Sequence, residues 1–193
     1  MAFDQETHGS MLLGLLKQAI EKFELRMLAA DAEVGPAHKA LDPQIGEWAG
    51  TMKTWLLPGD PYDVQNVTST ARWTLGDRFL ERTFDGRFMG QPFAALCITG
   101  YDDAAKHYVA CWMDSATTAM LPLAGTLDPV TKALTLTGSM KLTDIPGTSL
   151  DIRSVIVMDD ADSLRYEISI GRFGVWVKAH EIELRRQVKP ANE

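Results

Sequence analysis

With 193 residues, 46% hydrophobic and 23% charged, the chain has room for one globular core rather than two, and its composition is not that of a disordered or fibrous protein. A formal net charge of −7 without any basic cluster excludes a phosphate backbone as partner, because nucleic-acid binding rests on Lys and Arg displacing counterions. Asp4 and Glu6 stand where an export signal needs positive charge, and no apolar run of about twenty residues is present, so neither a signal peptide nor a spanning helix is expected.

The first element reads as an amphipathic helix. Leu12, Leu16, Ala19, Phe23, Met27 and Ala30 recur at three and four residues, while Lys17, Glu21 and Glu24 fall between them. Gly35 and Pro36 end it, and a short helical turn over 38–41 follows. From there on, β-rich runs return about every ten residues, each closed by Gly, Pro or Asp, which is the spacing of an antiparallel meander that closes into a barrel. The runs are 49–57, 64–74, 79–88, 93–101, 107–113, 120–126, 133–140, 150–158, 164–170 and 175–185. Turn chemistry separates them: Pro58, Gly59, Asp60 and Pro61; Gly76 and Asp77; Asp128 and Pro129; Pro146 and Gly147; Gly171 and Gly174. None of these connections holds a crossover helix, so neighbours are expected to pair antiparallel.

Two runs alternate cleanly and so have one wet face. Leu134 and Leu136 oppose Thr135 and Thr137, and Leu164, Tyr166, Ile168 and Ile170 oppose Arg165, Glu167 and Ser169. The fourth and fifth runs are apolar on both parities, with Leu96 and Ile98 against Phe93, Ala95 and Cys97, then Ala110 and Trp112 against Val109, Cys111 and Met113. A cover is required on the outer side, either the leading helix or a second subunit. The fold expected is therefore all-β, a ten-stranded antiparallel up-and-down barrel with an N-terminal α-helix. Residues 1–35 form the helix, on the barrel or in a dimer interface, 36–187 form the barrel, and 188–193 are a disordered tail.

HKALDPQIGEWAG (38–50), LGDRFLE (75–81), GQPF followed by ITGYD (90–102), YVACWMDS (108–115), and AGTLD with LTLTG (124–138) together resemble a widespread bacterial family of uncharacterised, lipocalin-like, calycin-type barrel proteins. The resemblance spans roughly 36–186 and implies the barrel without an activity. A relative among small barrels, the haem-binding nitrobindins, has a glycine-rich first strand after its tryptophan. Here GEWAG runs straight into Thr51, Met52 and Lys53, so haem is not carried over and no cofactor is expected.

In lipocalin-like barrels a tryptophan of the first strand packs under a terminal arginine, so the resemblance implies that Trp48 packs with Arg185 and Arg186 and seals one end of the barrel. A ligand then enters from the other end. Tyr101, Trp112, Asp114 and His180 are the polar or amphipathic groups expected to meet inside. They read either as a lipophilic pocket with a few orienting hydrogen-bonders or as a satisfied polar network in a filled barrel. The last strand is ambiguous in parity. Val175, Val177 and Ala179 argue for one inward face and Ile182 and Leu184 for the other, a conflict that a bulge near His180 resolves.

His180 and Asp114 as an acid–base pair lack an accompanying nucleophile motif. The four histidines, His8, His38, His107 and His180, are too scattered for a metal site, and Asp159, Asp160 and Asp162 form an ordinary acidic turn. Pairing Tyr101 with His107 places Cys97 opposite Cys111; free thiols in a reducing cytoplasm are the expectation. Three functions are consistent with these features: a binding module for a small apolar molecule, a non-catalytic homodimeric scaffold, and an enzyme on a hydrophobic substrate.

Overall fold

The computed structural model describes residues 5–28, 34–56, 59, 61–142, 145, 147–172 and 174–188. Two compact units divide the chain, Met1–Gly35 and Pro36–Glu193. The first carries helix α1, Gln5–Leu28, whose Leu12, Leu16, Ile20 and Phe23 are exposed. Ala30 and the tail beyond Val188 lie outside the described residues, as do Pro58, Asp60 and Pro146 of the expected turns. Among the described residues no helix is long and apolar enough to cross a membrane.

The second unit begins with α2, Pro36–Lys39, and a 3-10 turn, Asp42–Gln44. Ten strands follow: β1 Gly46–Thr54, β2 Asp63–Thr74, β3 Phe79–Phe88, β4 Gln91–Asp102, β5 His107–Asp114, β6 Leu121–Leu127, β7 Leu134–Lys141, β8 Ser149–Asp160, β9 Ser163–Arg172 and β10 Val175–Arg186. Each pairs antiparallel with its neighbours in sequence, and β10 pairs with β1 to close the ring. This is the expected all-β, ten-stranded up-and-down barrel with its N-terminal helix. Closure leaves no free sheet edge, which is how such a meander avoids edge-to-edge association.

Two glycines set the barrel's curvature. A Cβ at Gly50 of β1 would lie 1.8 Å from Glu183 O of β10, and one at Gly125 of β6 would lie 1.8 Å from Thr135 O of β7. At each, the adjacent strand's backbone crosses the place a side chain would take, so only glycine allows the sheet to coil so tightly there. β1 and β6 stand half a ring apart, and the wall β2–β5 faces the wall β7–β10. Side chains meet across the interior: Phe84 of β3 lies 5.6 Å from Tyr166 of β9, and Phe88 of β3 lies 5.8 Å from His180 of β10.

Two register details differ from or refine the sequence expectation. Tyr101 pairs with Tyr108 and Asp102 with His107, so Cys97 faces Trp112 while Cys111 faces Ile98. The two cysteines therefore lie on opposite faces of the sheet. The cause is the turn: Asp102 Oδ1 accepts from Ala104 N and Ala105 N, and Lys106, at φ 58°, returns its N–H to Asp102 O, so four residues rather than five connect the strands. In β10 the register shifts between Lys178 and His180, so Ala179 is the extra residue of a bulge. His180, Ile182 and Leu184 thus face inward, while Trp176 and Lys178 lie outside against Arg153 and Glu167.

Candidate functional site

One end of the barrel is shut by a tryptophan between two arginines. Trp48, 1% exposed, donates its indole N–H to Gln44 O at 3.1 Å, which ties β1 to the 3-10 turn. Arg186 lies 4.2 Å from the indole centroid and donates to Pro43 O at 2.8 Å and to Ile45 O. Arg185, one residue earlier, points out of the barrel, with its side chain 72% exposed and 3.4 Å from Asp160. Adjacent strand residues face opposite ways, so only Arg186 belongs to the seal, not Arg185.

The second arginine is Arg82 of β3, which the sequence reading missed. It is 2% exposed, lies 6.0 Å from the Trp48 ring and 5.8 Å from that of Tyr166, and donates to Ser69 Oγ at 3.1 Å and Gln44 O at 2.7 Å. Among the described residues its Nε has no partner and no carboxylate pairs with it. The signal was available in the alternation: Leu80, Arg82 and Phe84 share one parity. Burial pushes the Tyr166 phenol up to about 12, and burial likewise raises the Cys97 thiol.

Tyr101 belongs to this closed end. Its ring lies 5.1 Å from Tyr108 and 6.0 Å from buried His38, away from the other three residues expected to line the interior with it. Those three lie toward the opposite end. Trp112 Nε1 donates to Asp114 Oδ2 at 2.7 Å, and Asp114 Oδ1 accepts from Ala116 N and Thr117 N, so the carboxylate is fixed by three donors. No cation pairs with Asp114 among the described residues. His180 places Nδ1 3.2 Å from Thr54 Oγ1 and its ring edge-on to Phe88. Burial lowers its pKa, opposed by the charge of Asp114, so the imidazole is neutral at neutral pH.

Packing differs along the barrel. The largest fully buried side chains, Trp48, Phe84, Leu134, Leu136, Leu164 and Leu184 among them, fill the interior from the middle to the closed end. Toward the open end Phe88, Phe93, Trp112, Leu121, Met140, Ile168 and Ile170 face inward yet stay partly exposed. Phe88 and Phe93, 5.9 Å apart, flank the turn at Met89 and Gly90 at inward parity. At the rim a cleft of 610 Å³ opens between loop residues 115–119 and Met140, Lys141, Leu142 and Ile145. Asp114 joins the two regions, because its two backbone bonds hold the first residues of that loop.

His180 and Asp114 form no direct ion pair, and Asp114 already accepts three hydrogen bonds. Among the described residues no group of three or more His, Cys, Asp or Glu side chains gathers closely enough to hold a metal ion. The arrangement therefore sets partly exposed inward apolar side chains beside one carboxylate and one imidazole.

The chain is similar to a solved structure, the crystal structure of Rv2717c from M. tuberculosis, at 20% identity and a TM-score of 0.57, covering 81% of this chain and 100% of that one. At that identity the likeness shows the fold alone. No curated protein matches the sequence. Residues 33–186, which include the entire barrel, match the family described as a protein of unknown function (DUF1579), and the chain belongs to that family.

Proposed function

We propose that the protein binds a small, largely apolar molecule in the open half of its barrel. The observation that carries this reading is the band of inward-facing apolar side chains left partly exposed above a filled floor. Apolar surface that faces inward yet stays wet gains roughly 25 cal/mol per Å² when a guest covers it. Trp112, Asp114 and His180 are its lining residues; Tyr101, which the sequence reading grouped with them, supports the closed end instead. Catalysis has less support, since Asp114 is committed to structural hydrogen bonds and the hydroxyl beside His180, that of Thr54, is 2% exposed.

The test is a fluorescence titration with N-phenyl-1-naphthylamine, an apolar probe that is uncharged at neutral pH. Saturable enhancement is expected with the native protein, and most of it is lost in Ile168→Trp, which fills the open half from a position opposite His180. A folded Ile168→Trp protein that binds the probe as the native one does would overturn the reading.

A second reading is a homodimer built through the outer faces of β4 and β5. It is favoured by the outward row Leu96, Ile98, Val109, Cys111 and Met113 and by a shallow 320 Å³ groove over Leu96 and Met113. Light scattering with and without residues 1–34 checks it. A monomer in both cases would end this alternative.

A further inference from the structure

Resting on the binding reading above, we infer that the guest is an organic cation: a protonated amine carried on an aromatic or aliphatic body. The open half joins two features that recognise such a group. One is an aromatic lining, with Phe88, Phe93 and Trp112 at inward positions on the neighbouring strands β3, β4 and β5. Ring faces carry partial negative charge and attract ammonium groups, most strongly when water is excluded. The other is Asp114, half-buried, held in place by three N–H donors and paired with no cation among the described residues.

A carboxylate so placed repels an anionic head group and attracts a positive one, and the chain's net charge of −7 acts in the same sense at longer range. Among the described residues the inward positions around Asp114 carry no lysine or arginine to meet a phosphate or carboxylate guest, and Lys141 lies in the rim cleft instead. Arg82, the buried arginine, lies below Phe84 and is occupied with Ser69, Gln44 and two aromatic rings.

His180 completes the recognition. In the tautomer that carries its proton on Nδ1, facing Thr54 Oγ1, Nε2 keeps a lone pair, and no described residue donates to it. It can accept an N–H from the ammonium group. Burial keeps the ring neutral and therefore an acceptor.

The test uses three compounds with one naphthalene body and different heads: 1-naphthylmethylamine, 1-naphthylmethanol and 1-naphthoate, titrated calorimetrically at pH 7.5. The amine is expected to bind about tenfold tighter than the alcohol, with the carboxylate weakest. Asp114→Asn keeps the acceptor for the loop amides and removes the charge, so the amine's lead over the alcohol should vanish while the alcohol still binds. Phe88→Leu, which leaves Asp114 untouched, should shrink the same lead and serves if the first variant fails to fold. Alcohol or carboxylate binding as tightly as the amine would overturn the cation inference and leave the pocket standing. Failure of all three to bind would end both.

Discussion

Arg186 stacks its guanidinium 4.2 Å over the indole of Trp48 and, with the same group, donates to the carbonyls of Pro43 and Ile45. One side chain thus joins the last strand to the first and to the turn that plugs the barrel. Arg186→Ala removes a partly desolvated cation–π contact, hydrogen bonds to the carbonyls of Pro43, Ile45 and Ala161 and a pairing with Asp162, so a loss of about 2 kcal/mol is expected, against less than about 0.5 kcal/mol for the exposed Arg185→Ala. Urea unfolding of the two variants side by side checks the asymmetry. Equal effects would mean that the last strand is not held by Arg186.

The glycine corners carry a sharper expectation. Gly50→Ala and Gly125→Ala each set a methyl group 1.8 Å from a carbonyl oxygen of the adjacent strand, a contact relieved only by moving backbone. Each should cost more than about 3 kcal/mol or abolish folding. Gly9→Ala in α1, where a Cβ meets nothing within 4 Å, should be neutral or slightly stabilising. Circular dichroism and soluble yield are the readouts, and a native-like Gly50→Ala protein would show that the barrel coils less tightly at that corner.

Cys97 and Cys111 face opposite sides of the sheet and should not bridge. Oxidation of the folded protein should leave two thiols by mass. Cys111, on the outer wall, should react with a thiol reagent faster than Cys97, whose thiolate is disfavoured by burial. An intramolecular disulfide formed without unfolding would contradict the β4–β5 register.

His180 makes stability depend on pH in a defined direction. Its pKa is lowered by burial from the ordinary 6.5, so in the window just below 6.5 the unfolded chain takes up a proton that the folded one refuses. Its contribution is therefore fully present above 6.5 and is lost as pH falls from there through the lowered folded value. His180→Gln should flatten the stability profile across that window. Asp102, Asp128 and Asp160, held below their ordinary 3.8 chiefly by hydrogen bonds from backbone amides or, for Asp160, from the Ser163 hydroxyl, lose their contributions only at lower pH, so the two effects separate. An unchanged slope between pH 6.5 and 5 in His180→Gln would show that another group titrates there.

How far the chain was legible depended on what each feature required. β3 over 79–88 was readable to the residue, because Gly76 and Asp77 on one side and Met89 and Gly90 on the other bound a run of inward Leu80 and Phe84. The conflict of parities in β10 was readable as a bulge, since two apolar sets one step out of phase cannot both face inward without an extra residue. The β4–β5 register was not readable. It hung on whether Asp102 ends the strand or opens the turn, and that is settled by two amide hydrogen bonds and one left-handed lysine.

Strand number and antiparallel order follow from local patterns of alternation and turn residues, which act over a few positions and are written in the chain, whereas the sealing role of Trp48 was implied by the resemblance to lipocalin-like barrels. The company each inward residue keeps is set by contacts across the interior. Tyr101 and Trp112 stand eleven positions apart at inward places on adjacent strands, yet they end in opposite halves of the barrel. Arg82 reaches Gln44 from thirty-eight residues away. Only closure of the ring, bent at Gly50 and Gly125, brings β3 against β9 and β10, and that fixes which half packs fully and which keeps inward side chains partly exposed.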